Sequence, residues 1–555
     1  MLKKSLKALA LALALLLAVV AYNGLSFQKR TNNRPLPPEY KKGVFHVHST
    51  FSDGSGRAEE ICRDARAVGL DFVILCDHGR PNRQASAATA WIDDTLLIGA
   101  SEFSLTAGHM AAAGYKIPGY EFPPEAQEAI DEVDRDGGVT FISHPFDRRI
   151  PWTDGQARGY SGIEILSLYQ LAKKNLLYGL TVFPLQYLLS PDFAMTAMIA
   201  YPENELGLWD RMNRLGKYLG IYALDAHAKI KTGRRSFLRF PSYSSLFKIL
   251  NVYVKVDRDL DKNAEAAAAT IIAALRRGDF FSVIESLAAA NGFEMYYLEA
   301  DGRRVEMGGD ARSTGGTLVL KLPFQFGTDI VIKRDGDVFL EIRDNGRQEM
   351  AVPVGRPGAY RCEVFLHSGR LRSLPWILAN PIFVSRPAEA AKPAAVSPRR
   401  ILNPGGPYFQ VEKNGRSRGE VALEREADGG TVTRFSFTLR KESPALVDFW
   451  AAMARRESLD FSGYRGFVLE ASGSRAMRFW LQFRTQEGGR ESAFQHSFLA
   501  GEEWRRIMIP FGRFHRLYGP PSGLAHVSAF FILIDNGNSF DGAQGELRLR
   551  PIGLY

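Results

Sequence analysis

Between residues 43 and 285 short apolar runs alternate with stretches of helical period, and from about Asn291 that rhythm gives way to strand after strand divided by Gly-rich and Asp-Gly turns. The first pattern specifies an α/β fold with a largely parallel sheet; the second specifies sandwiches or barrels. One core rarely organises a chain of 555 residues, so the change of rhythm is read as a change of domain. Strands are predicted at 43–47, 71–76, 95–100, 139–142, 163–166 and 221–224, and helices at 57–68, 125–135, 205–219 and 263–277. The expected organisation is an α/β domain over 43–285, a small β-sandwich over 286–385, a Pro- and Ala-rich linker over 386–400 (RPAEAAKPAAVSPRR) and a jelly-roll sandwich over 401–555. In the last, strands are predicted at 432–439, 466–471, 476–483, 506–510, 529–534 and 545–549.

The N-terminus has its own character. Lys3, Lys4 and Lys7 precede an uncharged run over 8–25 rich in Leu, Ala and Val, the layout of an export signal or a signal anchor. Residues 1–27 are read as that segment and 28–42 as a tether, which places the rest outside the cytoplasm. The expected location is the periplasm, or the periplasmic face of the inner membrane with the N-terminal segment as the membrane contact. A second apolar stretch, 176–201, is interrupted by Pro184 and Pro191; it is read as helices covering a site, with a membrane-facing hairpin as the alternative.

Bulk chemistry excludes some partners. The net charge of +9, 70 Lys and Arg against 61 Asp and Glu, is spread along the chain, and no basic run is interleaved with aromatics, so nucleic acid is not expected. Cys62, Cys76 and Cys362 are too few for a disulfide framework.

Chemistry concentrates in the histidines. Six of the ten lie before residue 230, each at or just past a predicted strand end or near a glycine turn. In α/β folds, loops from distant strands converge at such ends. His46 and His48 flank one residue of a strand, so both imidazoles face one way, and Asp53 follows five residues on. Asp77-His78, then Glu102 with His109, then His144-Pro145, then Asp225-Ala226-His227 complete five clusters. Mixed imidazole and carboxylate donors suit two or three divalent ions, Zn, Mn or Fe, rather than a calcium cage.

In this order the motifs resemble those of the polymerase and histidinol phosphatase (PHP) family of metallohydrolases, over about residues 43 to 285. The resemblance implies a distorted (β/α)7 TIM-like barrel holding two or three metals. His46, His48, Glu102 and Asp225 would hold one ion, with Glu102 bridging to a second held by His109 and His144. Asp53, His78 and His227 would hold a third, Asp77 would orient a histidine, and a bridging hydroxide would be the nucleophile. Cys76-Asp77-His78 stands where Thr-Asp-His is common. The stretch from GIEILS at Gly162 to Leu224-Asp225-Ala226-His227 is similar to the CehA/McbA-like subgroup of carbamate and ester hydrolases. Phosphoester hydrolysis on a small-molecule or envelope-derived ester is the first expectation, and carboxyl or carbamoyl ester hydrolysis the second. Arg80 and Lys229, with Arg234 and Arg235, could pair with a substrate anion. The terminal sandwich, with Trp450, Trp480 and Trp504, resembles galactose-binding-like modules. It could instead make the protein a non-catalytic glycan binder, although the tryptophans read better as sandwich core.

Overall fold

In a computed structural model of the chain, all residues are described except 1, 28, 170–180, 234–235, 368–370, 386–399, 403–408, 427–428 and 443–448. The expected linker, apart from Arg400, which begins a short strand with Ile401, and the Arg234-Arg235 pair lie outside the described residues. Two compact units emerge, residues 1–117 with 130–389, and residues 118–129 with 390–555.

The first unit opens with α1 (Leu2–Ser26). The chain then runs through β1 (Tyr40–Val47), α2 (Ala58–Ala67), β2 (Phe72–His78), α3 (Arg83–Ser86), β3 (Ala90–Ile92), β4 (Thr95–Leu105), β5 (Gly108–Ala113), α4 (Ala126–Arg135), β6 (Val139–Ile142) and β7 (Gly162–Ser167). It continues with α5 (Phe183–Leu189), α6 (Pro191–Thr196), α7 (Glu203–Asn213), β8 (Leu219–Ala223), β9 (Ile230–Lys231), β10 (Phe237–Leu238), α8 (Tyr243–Phe247), β11 (Leu250–Lys255), α9 (Ala264–Arg277) and β12 (Phe280–Ile284). Among the described residues no helix is long and apolar enough to cross a membrane.

The main sheet runs β12-β11-β1-β2-β4-β5-β6-β7-β8. β1, β2 and β4 are parallel neighbours, as are β6, β7 and β8, while β5 runs antiparallel to both β4 and β6. Past β8 the chain bonds back to the end of β1: Leu224 N donates to Phe45 O at 3.0 Å, Ala226 N to His46 O at 3.1 Å and His48 N to Ala226 O at 3.0 Å. The ends of β1 and β8 are thereby held side by side, which is why motifs 180 residues apart can share a site. Against the sheet lies α9, started by Asn263, whose side chain accepts from Ala266 N, and stopped by Gly278 at φ +87°. Its Ala267, Ile271, Ala274 and Leu275 pack with Phe141, Ile221 and Val252 in one core.

The sheet does not stop where the rhythm of the sequence changes. β12 pairs with the strand Pro375–Val384, which pairs with Gly358–Leu366, and Thr328–Arg334 and Asp337–Asn345 follow. The strands expected to form a separate sandwich over 286–385 are instead shared between this extension and a four-stranded sheet. The reason is burial: every residue of Pro375–Val384 is buried, and an apolar strand covered on both faces needs neighbours on both edges. Arg361, itself buried, ties the extension to α7 through a bidentate pair with Asp210 at 2.6 and 2.8 Å.

The second unit is a β-sandwich of a seven-stranded and a six-stranded sheet, with Phe435, Phe461, Phe467, Phe479, Phe483 and Phe530 in its core. Its segment 118–129 supplies Glu125, whose carboxylate accepts from Ser497 N and Oγ at 3.0 and 2.7 Å. Trp480 is buried and donates to Asp535 at 2.9 Å; Trp450 and Trp504 are half-buried. None of the three is an exposed aromatic.

Candidate metal centre

The five clusters converge because each leaves the same end of the sheet. His46 ends β1, His78 ends β2, and Glu102 sits beside His78 in the β2–β4 register. His109 opens β5, opposite Ser104 of β4, while His144 follows β6, and Asp225 and His227 follow β8. Three of these residues turn sharply, with φ +67° at His46, +30° at His144 and +51° at Asp225. A left-handed backbone costs a side-chain-bearing residue roughly 1–2 kcal/mol, so the fold gives up stability to aim these groups inward.

All nine expected ligands meet. His46 Nε2 lies 3.1 Å from His48 Nε2, 3.6 Å from Glu102 Oε1 and 3.9 Å from Asp225 Oδ1. His48 Nε2 is 3.6 Å from Glu102 Oε2 and 3.3 Å from Asp225 Oδ1. Glu102 Oε1 lies 3.2 Å from His109 Nδ1 and 3.0 Å from His144 Nε2, and its Oε2 lies 3.0 Å from His78 Nδ1. Asp53 Oδ1 is 3.1 Å from His227 Nε2 and 3.7 Å from both His48 Nδ1 and His78 Nε2. Three groups, His46-His48-Glu102, His78-Glu102-His109 and His48-Asp53-His78-His227, each keep their donor atoms within 4.8 Å of one another. Glu102 and His78 thus each belong to two groups, and so does His48.

These residues fit metal ions. Ligand atoms about 2.0–2.1 Å from a tetrahedral ion stand about 3.3 Å apart, which is the scale of the separations here. Two imidazole nitrogens facing each other need either a proton or a cation between them. Asp53 Oδ1 and His78 Nδ1 are buried and make no hydrogen bond, although each has an opposite partner about 3 Å away. They are placed as donors around a common centre rather than as donor to acceptor. The buried His/Asp/Glu cluster could therefore bind metal ions.

Electrostatics agree. Burial alone would push the Glu102 carboxyl up, yet the charge of His46 and the hydrogen bonds of His109 and His144 hold it well below the carboxylate range. Burial likewise opposes ionisation of Asp225, but His48 and His46 bring it to about 2. His144 is pushed the other way, to about 9: burial lowers it, but its bond to Glu102 and the charges of Glu102, Asp225 and Glu164 together raise it further. Carboxylates held ionised in a buried site offer full charge to a cation.

Glu164 of β7 belongs to no motif legible in the sequence, yet it joins the site. Its Oε1 is 2.5 Å from His46 Nδ1 and its Oε2 accepts from His144 N at 2.9 Å. Fixing Nδ1 as the donor leaves the His46 Nε2 lone pair for the cluster. A buried Glu amid the apolar run GIEILS was the available signal. Asp77 departs from its expected contact with a histidine: it accepts from Ser49 N at 2.9 Å, Ser49 Oγ at 2.7 Å and Ser52 Oγ at 2.5 Å. A short carboxylate at that point of β2 meets the turn after His48, and reaches the ring only through Ser52 Oγ, 3.5 Å from His48 Nδ1. Lys229, expected near substrate, donates to Asp53 O at 3.2 Å and lies 4.6 Å over Phe237. Arg80 stands in the loop between β2 and α3.

The cluster has a closed and an open side. His46, His48 and Glu102 are buried, whereas the side chains of Asp53 and His78 are 43% and 35% exposed. Tyr169, stacked on His227 at 4.6 Å, borders the open side. A cavity of about 200 Å³ adjoins the cluster, lined by His144, Glu164, Ser167, Tyr201 and Glu203 among others.

No protein-family model and no curated protein matches the chain. Among solved structures it is similar to a two-domain protein "containing predicted PHP-like metal-dependent phosphoesterase" from Bacteroides vulgatus, at 14% identity over 64% of this chain and 98% of that one, with a TM-score of 0.31. It is also similar to the family 11 carbohydrate-binding module of a cellulosomal cellulase of Clostridium thermocellum, at 17% identity over 29% of this chain and 95% of that one, with a TM-score of 0.23. These likenesses are slight.

Proposed function

We propose that the chain is a metal-dependent hydrolase of the PHP type, with β1 to β8 as its distorted barrel, acting on phosphoesters at the periplasmic face of the membrane or in the periplasm. The observation that carries this reading is the convergence of His46, His48, Glu102 and Asp225, buried and within 4 Å of a neighbour in the set. His46, His48, Glu102 and Asp225 would hold one ion, Glu102, His109 and His144 a second, and Asp53, His78 and His227 a third. Bound ions would polarise a phosphoryl oxygen and lower the pKa of a water enough to make it a nucleophile near neutral pH. The chain's own part is placement. Glu164 fixes the ring of His46, Asp77 holds the Ser49–Ser52 turn that seats His48, and buried strand ends keep bulk water from the closed side. Asp53 and His78 face the open side, where an ester would enter.

Elemental analysis of the full chain, beside hydrolysis of phosphomonoesters, phosphodiesters and carboxyl or carbamoyl esters, tests the reading. Two or more ions per chain and an activity are expected, both lost in His46→Ala with His48→Ala. A carboxyl-ester preference would replace the phosphoester assignment, and a metal-free, inactive wild type would overturn the hydrolase.

A further inference from the structure

Beside the open side of the metal centre stands a small two-stranded element, β9 with β10, that joins no other sheet. Its apolar side chains point to solvent: Ile230 and Phe237 are each 46% exposed and Leu238 56%. Residues 229–239, KIKTGRRSFLR, carry five basic residues and no acidic one. Exposed apolar strand residues within a stretch of basic sequence are costly in water, but complement a bilayer with anionic headgroups.

Two further elements continue this surface. Phe240, just past β10, packs on Phe183 and Tyr187 of α5 at ring distances of 6.3 and 4.8 Å. The last turn of α5 carries Leu188, 82% exposed. Against α5 lies α1, close enough that a Cβ added at Gly24 would sit 3.2 Å from Leu189 Cβ, with Phe27 against Phe193 of α6 at 5.4 Å. Leu11, Leu15, Leu17, Val19, Tyr22 and Leu25 of α1 are exposed, and at 100° per residue Leu11, Leu15, Tyr22 and Leu25 fall on one side of the helix with Leu17 and Val19 on its two flanks. Nothing among the described residues covers them.

The same hairpin is tied to the metal centre. Lys229 donates to Asp53 O, and Arg239 Nη2 donates to Ser55 O at 2.6 Å, so its stem grips the loop that carries Asp53. Whatever surface the hairpin meets is therefore brought to the open mouth.

We propose that the β9–β10 hairpin, the end of α5 and the exposed side of α1 form a bilayer-docking surface, and that the ester delivered to the metal centre is a phosphoester carried by a membrane lipid. The second half rests on the hydrolase reading above. In the reaction the lipid's ester P–O bond breaks, the oxygen of water joins phosphorus, and a proton of that water ends on the leaving alcohol.

The three native cysteines are buried, so Leu238→Cys in the full chain takes an environment-sensitive fluorophore at one place. Vesicles of equal parts phosphatidylcholine and phosphatidylglycerol, with added phosphatidic acid, are expected to shift its emission to the blue; no shift overturns the docking surface. A shift that appears on raising protein concentration without vesicles makes a second copy the occupant, and also overturns it. Leu188→Glu with Leu238→Glu is expected to slow hydrolysis of the vesicle's lipid phosphoesters by about tenfold while leaving soluble p-nitrophenyl phosphoesters within about twofold. Equal losses on both substrates, or none on either, overturn it. A wild type that cleaves soluble esters but no lipid overturns the substrate assignment, whereas one that cleaves neither removes the hydrolase reading and leaves the fluorophore to decide docking alone.

Discussion

The two compact units spend their burial in opposite ways. The C-terminal sandwich buries phenylalanines against one another, with Phe467 in ring contact with Phe461, Phe483, Phe511, Phe514 and Phe530. The N-terminal unit buries His46, His48, Asp77, Glu102 and Glu164 almost completely and bends three ligand backbones into the left-handed region. Apolar burial stabilises at roughly 25 cal/mol per Å², while an ionised group out of water costs several kcal/mol unless it is paired. A fold that accepts the second cost at one strand end after another is organised around what that end holds. One unit buries an apolar core rich in phenylalanine; the other buries, beside its apolar core, a cluster that could bind a cation.

Chelation should separate the units most sharply. Removing bound metal is expected to abolish hydrolysis, by at least about a thousandfold, with recovery on adding Zn or Mn. It should also lower the melting transition of the N-terminal unit, since an ion at a thousand times its Kd contributes about 4 kcal/mol. The sandwich transition should stay in place. Calorimetry of the full chain with and without chelator reads both, and a sandwich transition that moves with the metal would dissolve the contrast.

The converse change is Phe467→Ala. Truncating a fully buried phenylalanine in a close-packed core costs about 3–5 kcal/mol, and that loss should appear in the sandwich transition, with soluble-ester turnover within about twofold of wild type. A tenfold fall in turnover would mean that the sandwich supports the site.

Within the N-terminal unit, Glu164→Gln tests whether the carboxylate behind His46 matters beyond packing. The amide keeps the volume but loses the charge, and its NH₂ can face a ring nitrogen as donor and select the wrong tautomer. Metal affinity and turnover should fall by about 10–100-fold, the usual weight of such a partner, and excess metal should restore most of the rate. Loss of rate with full metal occupancy would assign Glu164 a different part.

Glu164 also shows where sequence reading ends. The histidine motifs were legible because each sits at the end of an apolar run, and strand ends of α/β folds converge. Glu164 lay in a strand, 118 residues from the ring it holds, and no spacing rule links the two. Asp77 was legible as a site residue but not in its contact, because the Ser49–Ser52 turn that it holds is a local conformation rather than a pattern. β5 was missed for another reason: Gly108–Ala113 reads GHMAAA, with weak strand preference, and tertiary pairing between β4 and β6 makes it a strand. Pairing over nearly a hundred residues, Phe281 with Ala379, likewise hid the continuation of the sheet beyond residue 285. The terminal sandwich was easier, since its period-two strands between Gly and Asn turns are local signals.

The smallest expected effect lies in the sandwich unit, at the titratable pair Glu128 and His496. Glu128 Oε1 stands 3.3 Å from His496 Nε2 and 2.6 Å from Arg513 Nη1. Burial would push the Glu128 carboxyl up, but His496 and Arg513 bring it down to about 2 from an ordinary 4.5. A depressed carboxylate contributes stability that is present above its unfolded value and lost as pH falls through its folded value, so the window runs from about pH 4.5 to 2. His496 works in the opposite direction: its pKa is raised by Glu128 against the effect of burial, so its contribution is full below about pH 6.5 and fades as pH rises through the raised value. Because the Glu128 side chain is 23% exposed, solvent screening discounts the pair to about 1 kcal/mol. Glu128→Gln should flatten the fall of the sandwich transition between pH 4.5 and 2 by that amount, in melts of the full chain, and leave the metal-dependent transition unmoved at neutral pH. An unchanged acid profile would mean that the pair is held by its surroundings rather than by charge, and that the sandwich is as indifferent to ionisation as its phenylalanine core suggests.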